Sequence, residues 1–228
     1  MKWILILISW AEGEKKRFLT DKESIHELMN WISHSLGILF VVPAGSWLLY
    51  TSWQTQTWQG FIAVLVFILG FLILYSSSSL YHYMVDHPRR SLFRKLDHIS
   101  IFIMIAGTYT PFLVIYLDNF VGKLYLTILW FLVVGGTIYK LYLLGKYRWI
   151  SLLLYLFMAW ILVFNFKAFS SALPVLSLKW IFVGGLFYML GVVFYVWKRL
   201  PFNHFIWHLF VFGGSLSHFI AVYYAVSP

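Results

Sequence analysis

The sequence predicts an all-α fold: a polytopic membrane protein built as a seven-transmembrane helix bundle. Three observations predict it. Of the 228 residues, 61% are hydrophobic and only 11% charged, whereas a soluble domain carries about a quarter charged residues. The apolar residues fall in seven runs of roughly the 20 residues that a helix needs to cross a bilayer. Finally, the lysines and arginines lie between these runs and form no single basic patch. The net charge of +9 therefore reads as membrane topology, and no nucleic-acid partner is expected.

The runs fall near residues 30–52, 58–84, 96–116, 124–144, 149–166, 178–197 and 204–226. Residues 1–29 form an N-terminal cytoplasmic or interfacial segment, and 30–228 the seven-helix domain. The opening MKWILILISWA is apolar for only about ten residues, too short to span. No small-residue cleavage site follows it, so an interfacial anchor is expected. No long linker or obvious repeat divides the rest, which reads as one membrane domain. Fourteen of the 17 lysines and arginines lie in the N-terminal segment and in the second-to-third, fourth-to-fifth and sixth-to-seventh connections; only Lys123, Lys167 and Lys179 fall on the other face. The positive-inside rule then places the N-terminus in the cytoplasm and the C-terminus outside, with the protein in the cell membrane.

With this topology several polar groups arrive at one depth. His204 and His208 open the seventh helix, one turn apart on one face. The second helix ends in SSSSLYHYM, which puts His82 at the same end with Ser78 one turn deeper. The third starts LDHIS, bringing Asp97 and His98, and the first starts ELMNWISH, bringing Glu27, Asn30 and His34. Ionisable residues in membrane helices are costly and usually face the interior or a wet cavity. The chain has no cysteine, so a metal would be held by nitrogen and oxygen. Three imidazoles with one open position is a catalytic zinc arrangement, and the expected ligands are His82, His204 and His208. Zinc brings the pKa of bound water to about 7; Asp97 is the expected proton acceptor and Ser78 a hydrogen-bonding partner for water or a developing oxyanion. His218 lies too deep to join.

Plainer readings of the same residues stand beside this one. A buried histidine often serves a backbone carbonyl or a serine. The four serines, and the pairs Gly184–Gly185 and Gly213–Gly214, suit helix packing. Asp97 suits a helix N-cap, Glu27 and Asn30 an ordinary first turn, and His26, His87 and His98 a solvated interface.

Taken together, ELMNWISHSLG (27–37), SSSSLYHYM (76–84), LDHISIFIMIAGTYTPF (96–112) and NHFIWHLFVFGGSLSHFIAV (203–222) resemble the hemolysin III family, which belongs with the progestin and adipoQ receptors. The resemblance covers all seven runs. It implies a seven-helix bundle with zinc near the cytoplasmic face, held by residues matching His82, His204 and His208, with Ser78 and Asp97 at the family's other polar positions. Relatives with this constellation, the alkaline-ceramidase-like proteins among them, are regarded as membrane hydrolases of lipid amides. Three functions follow as expectations: a zinc hydrolase of lipid amide or ester bonds, a receptor or regulator of membrane state with structural zinc, or a cytolytic pore former. In the first two a membrane lipid is the substrate or ligand.

Overall fold

A computed structural model describes residues 22–144 and 146–227; the MKWILILISWA stretch lies outside the described residues. The chain forms α1 (Lys22–Thr55), α2 (Trp58–Tyr83), α3 (Arg90–Tyr116), α4 (Phe120–Leu143), α5 (Arg148–Trp160), a 3-10 stretch (Ile161–Asn165), α6 (Phe166–Ala172), α7 (Val175–Val196) and α8 (Asn203–Val226). Seven segments are long and apolar enough to cross a membrane, the fifth being α5, the 3-10 stretch and α6 together. The all-helical, seven-span fold read from hydropathy is the observed one, and no strand occurs among the described residues.

Local chemistry sets the ends. Thr57 Oγ1 accepts from the Gly60 amide at the start of α2, and Asn119 Oδ1 accepts from the Gly122 amide at the start of α4, each satisfying an amide that the helix itself cannot. Two helices begin earlier than their apolar runs, because polar residues extend a helix that apolar ones anchor. α1 starts at Lys22 and α3 at Arg90. The cap position of α3 is Arg89, so Asp97 stands two turns inside the helix and caps nothing.

Half or more of α2, α3 and α8 is buried (56%, 61% and 50% of their most apolar windows), against 17–33% for the other spans. These three are the inner helices. α1 packs on α2 and α8, α2 on α3, α3 on α4, and α7 on α8. Outward-facing Leu39, Phe131, Val134 and Leu186 form the apolar face that a bilayer requires. At the end away from α8's N-terminus, Thr55 Oγ1 donates to the Val226 carbonyl (2.7 Å) and Tyr116 Oη to the Ala225 carbonyl (2.7 Å), so the last carbonyls of α8 are satisfied by α1 and α3. The aromatic cluster Trp53, Trp58 and Phe61 marks that end in the manner of an interfacial belt.

Close approach depends on small residues. A Cβ built on Gly136 would meet the Phe102 ring at 2.6 Å, whereas one on the adjacent Gly135 meets nothing within 4 Å. Phe102 is fully buried and packed on Tyr155, so its ring has nowhere to go. Gly136→Ala should therefore destabilise by about 1–3 kcal/mol through overpacking, while Gly135→Ala is neutral or mildly stabilising. Thermal unfolding of the two variants in the same detergent checks the contrast.

Candidate metal centre

Among the described residues, one set of potential ligands converges: a ring nitrogen from each of His82, His204 and His208 lies within 4.8 Å of the other two. His204 and His208 come from the first turns of α8. Their Nε2 atoms are 3.1 Å apart, close to the roughly 3.3 Å separating nitrogen ligands placed tetrahedrally at about 2.0–2.1 Å around zinc. His82 comes from the last turn of α2, its ring 5.2 and 5.0 Å from those of His204 and His208. His82 and His208 are buried and His204 half-buried.

The residues behind the histidines fix which nitrogen is offered. Glu27 Oε2 lies 2.6 Å from His82 Nδ1, and its other oxygen, Oε1, accepts from Arg90 at 2.6 Å. A carboxylate accepts only, so Nδ1 carries the proton and Nε2 is left with its lone pair. That Nε2 is buried and has no hydrogen-bond partner among the described residues. His208 is held the same way. Ser33 Oγ donates to the Asn30 carbonyl (2.7 Å) and so accepts from His208 Nδ1 (3.1 Å), which leaves the Nε2 lone pair directed at His204. Metal-bound histidines characteristically give their second nitrogen to such a carboxylate or oxygen partner. The orphaned Nε2 of His82, the all-nitrogen donor set and this ordered outer layer fit a divalent metal of zinc type.

His82, His204, His208, Asp97 and Ser78 all line one cavity of about 880 Å³. Ser78 sits one turn before His82 on α2, and its hydroxyl reaches toward the Asp97 carboxylate on α3. From this polar head the cavity runs between α3, the fifth span, α7 and α8, where Phe112, Phe169, Leu178 and Ile181 make its walls apolar. His34 also borders it: the ring lies edge-on to His208 at 3.9 Å, and both of its buried nitrogens lack a hydrogen-bond partner among the described residues. His218 stands apart from the cluster. Its Nε2 donates to the Ile181 carbonyl at 3.3 Å, and Gly184 gives it room, the role of a packing histidine between α7 and α8.

Some of this was not assigned from sequence. Glu27 is no ordinary first-turn residue, since it joins α1 to α2 and α3. Ser33 and Arg90 were not singled out at all. His26 and His98 line the cavity beside the cluster, whereas His87 is exposed as expected. Lys140, counted as a loop charge, is a buried residue in the last turn of α4. The Glu27 role could have been suspected from the Glu-x-x-Asn-x-x-Ser-His spacing, which puts all four residues on one end of one helix.

The fold and this centre define a class: a seven-helix membrane protein with three histidines gathered at one end of the bundle. The chain belongs to the family described as Haemolysin-III related, which matches residues 23–219. It is 37% identical over 203 residues to Hemolysin-3 of Bacillus cereus (89% of this chain, 92% of the relative). It is 34% identical over 196 residues to the Hemolysin-3 homolog of Bacillus subtilis strain 168 (86% and 92%). The human Monocyte to macrophage differentiation factor is 32% identical over 197 residues (80% and 78%), and through it the grouping with the progestin and adipoQ receptors holds. No solved structure matches the chain.

The geometry sets an order of sensitivity for metal retention. Glu27→Gln should weaken binding about 10–100-fold, the usual cost of losing an outer-layer partner of a histidine ligand. His218→Ala should leave metal content unchanged. Metal content of the purified variants after graded chelation distinguishes them; equal loss from both would contradict the geometry.

Proposed function

We propose that this protein is a zinc-dependent hydrolase of amide or ester bonds in membrane lipids, lying in the cell membrane with its metal centre toward the cytoplasm. One observation carries the reading: the three-histidine cluster shares the polar head of a cavity with Asp97 and Ser78, and the cavity body is apolar. Such a shape suits a lipid, its acyl chain against the apolar walls and its scissile carbonyl at the head. His82, His204 and His208 would hold the zinc, which when bound supplies Lewis acidity and lowers the pKa of water.

The remaining work falls to the chain's own side chains. Glu27 keeps the His82 lone pair directed into the cluster, and Arg90 keeps Glu27 in place. Asp97 accepts, on a carboxylate oxygen, a proton from the water that attacks the carbonyl. Ser78 orients that water through its hydroxyl. The apolar walls keep other water away from the reacting carbonyl, which strengthens every electrostatic contact at the head. The name of the Bacillus cereus relative, Hemolysin-3, favours a second reading, in which the chain lyses cells. That activity would not depend on Asp97.

Purified protein should contain about one zinc per chain. Asp97→Asn should keep zinc and fold, because the amide is nearly isosteric with the carboxylate. Its turnover should fall ~10²–10⁴-fold, the usual cost of removing a general base. Ser78→Ala should cost less. The measurement is cleavage of a panel of lipid amides and esters in liposomes, with and without chelator, alongside erythrocyte lysis. Zinc-loaded wild type that cleaves nothing sinks the hydrolase; lysis undiminished by Asp97→Asn or chelator supports the second reading.

The charge distribution also supports an orientation, with the N-terminus cytoplasmic and the C-terminus outside. A reporter fused after Pro228 should be active only in the form that functions outside the cytoplasm. Cytoplasmic activity of that fusion overturns the orientation.

A further inference from the structure

Lys140 is the one buried lysine among the described residues, 4% exposed. It ends an inward stripe on α4, where Leu129, Val133 and Gly136 are buried on the same face, so its backbone points it at the bundle interior. A lysine in the last turn of a membrane helix ordinarily extends its stem toward the interface and keeps its ammonium in water. This one instead lines the cavity. No hydrogen bond or ion pair reaches the ammonium among the described residues; its near neighbours are the ring faces of Tyr155 at 5.6 Å and Tyr139 at 5.9 Å. Such ring contacts offset only part of the cost of taking a charge out of water.

The charges around it point one way. Arg94 and Asp97 of α3 face the same part of the cavity, and Lys146 and Lys198 border it as well. Three acids line the cavity: Glu27 is taken up by His82 and Arg90, Asp86 lies exposed beyond the end of α2, and Asp97 meets the Ser78 hydroxyl and attracts Lys140 through space without pairing with it. Arg90, Arg94, Lys140, Lys146 and Lys198 outnumber these acids in the lining, around an ammonium that no described residue hydrogen-bonds. Beyond it begins an apolar channel. The anionic amphiphiles a membrane supplies at its charged surface are phospholipids.

We propose that Lys140, with Arg94 beside it, is an anion subsite that takes the phosphate group of a lipid whose acyl chain fills the cavity. The inference rests on the reading of the cavity as a lipid site and deepens it, separating a phosphate-bearing ligand from a neutral one such as a simple fatty amide or alcohol. Lys140 donates hydrogen bonds to the phosphate oxygens and thereby sets how far the chain enters. It touches no reacting atom, so its part is selectivity and positioning.

Binding, not turnover, tests this, with the full chain in phosphatidylcholine nanodiscs and labelled hexadecyl phosphate or hexadecan-1-ol as probe. Wild type should hold hexadecyl phosphate at least about tenfold tighter than the alcohol, as a charge-assisted hydrogen bond implies. Lys140→Gln should lose that ratio while binding the alcohol as before; Lys140→Arg should keep most of it, and Lys179→Gln, at the opposite end, all of it. A wild type with no preference for the phosphate overturns the proposal, as does a folded Lys140→Gln with the wild-type ratio. If Lys140→Gln does not fold, the wild-type ratio and the Lys140→Arg value decide. Millimolar inorganic phosphate that fails to displace the amphiphile supports a lipid head group; full displacement assigns the subsite to a free anion and overturns the lipid. The ratio is read with and without chelator. Absence of zinc or of turnover would end the hydrolase reading and leave this binding result standing.

Discussion

The carboxylate of Glu27 is the point on which the structure turns. One oxygen receives His82 from α2 and the other Arg90 from α3, so a single α1 side chain ties three helices together where they emerge from the apolar region. A carboxylate partly withdrawn from water is costly unless both oxygens are engaged, and here both are. The same contact decides the tautomer of His82, and with it the nitrogen that faces His204 and His208. The bundle's assembly and the chemistry of its centre are thus set by one group. Losing that group would leave a half-buried guanidinium without its carboxylate and a misdirected imidazole together.

Around this tie the bundle is unevenly packed, and the unevenness makes the cavity. On the α1–α2–α8 side the contacts are close: Ser35 meets Ser79 at 3.1 Å, Gly37 lies against the Tyr75 ring, and His34 meets His208. On the other side the fifth span and α7 make almost no close backbone approach to each other. The fifth span is itself interrupted by the 3-10 stretch Ile161–Asn165, and the Tyr109 hydroxyl donates to the Ala159 carbonyl just before the break. A helix can change its hydrogen-bonding pattern at bilayer depth only where neighbouring groups re-satisfy its backbone, and Tyr109 is such a neighbour. Close packing therefore positions the histidines, and the gap opposite is the cavity they border.

Seven spans were legible because hydropathy over about 20 residues reports the bilayer directly. The convergence of His82, His204 and His208 was legible because depth in a bundle can be counted from the helix ends. What hydropathy misreads is where polar residues continue a helix. Arg90 through Lys95 look like a loop and are the first turns of α3, which removed the capping role open to Asp97. Lys140 looked like a loop charge because one turn of sequence cannot say which face of α4 is covered. Glu27 was harder still. Its partners lie 55 and 63 residues away, and no local pattern marks a carboxylate as bridging two other helices.

Charge balance links these separate observations. Three neutral imidazoles contribute no charge of their own, so a dication among them would bring two positive charges into a setting of low dielectric. Glu27 offsets little of this, because Arg90 already opposes it. Asp97 is the carboxylate nearest to compensate, with the exposed Asp86 further out, and it shares the cavity with the buried ammonium of Lys140. With a metal bound, the head of the cavity would therefore carry a net positive field, focused by apolar walls that screen it poorly. Such a field favours oxyanions, whether a ligand's fixed charge or the charge that develops on a carbonyl oxygen under attack. It disfavours cations, and a pore that conducts cations would have to overcome this same field. That balance rests on groups from α1, α2, α3, α4 and α8 together and not on any one motif.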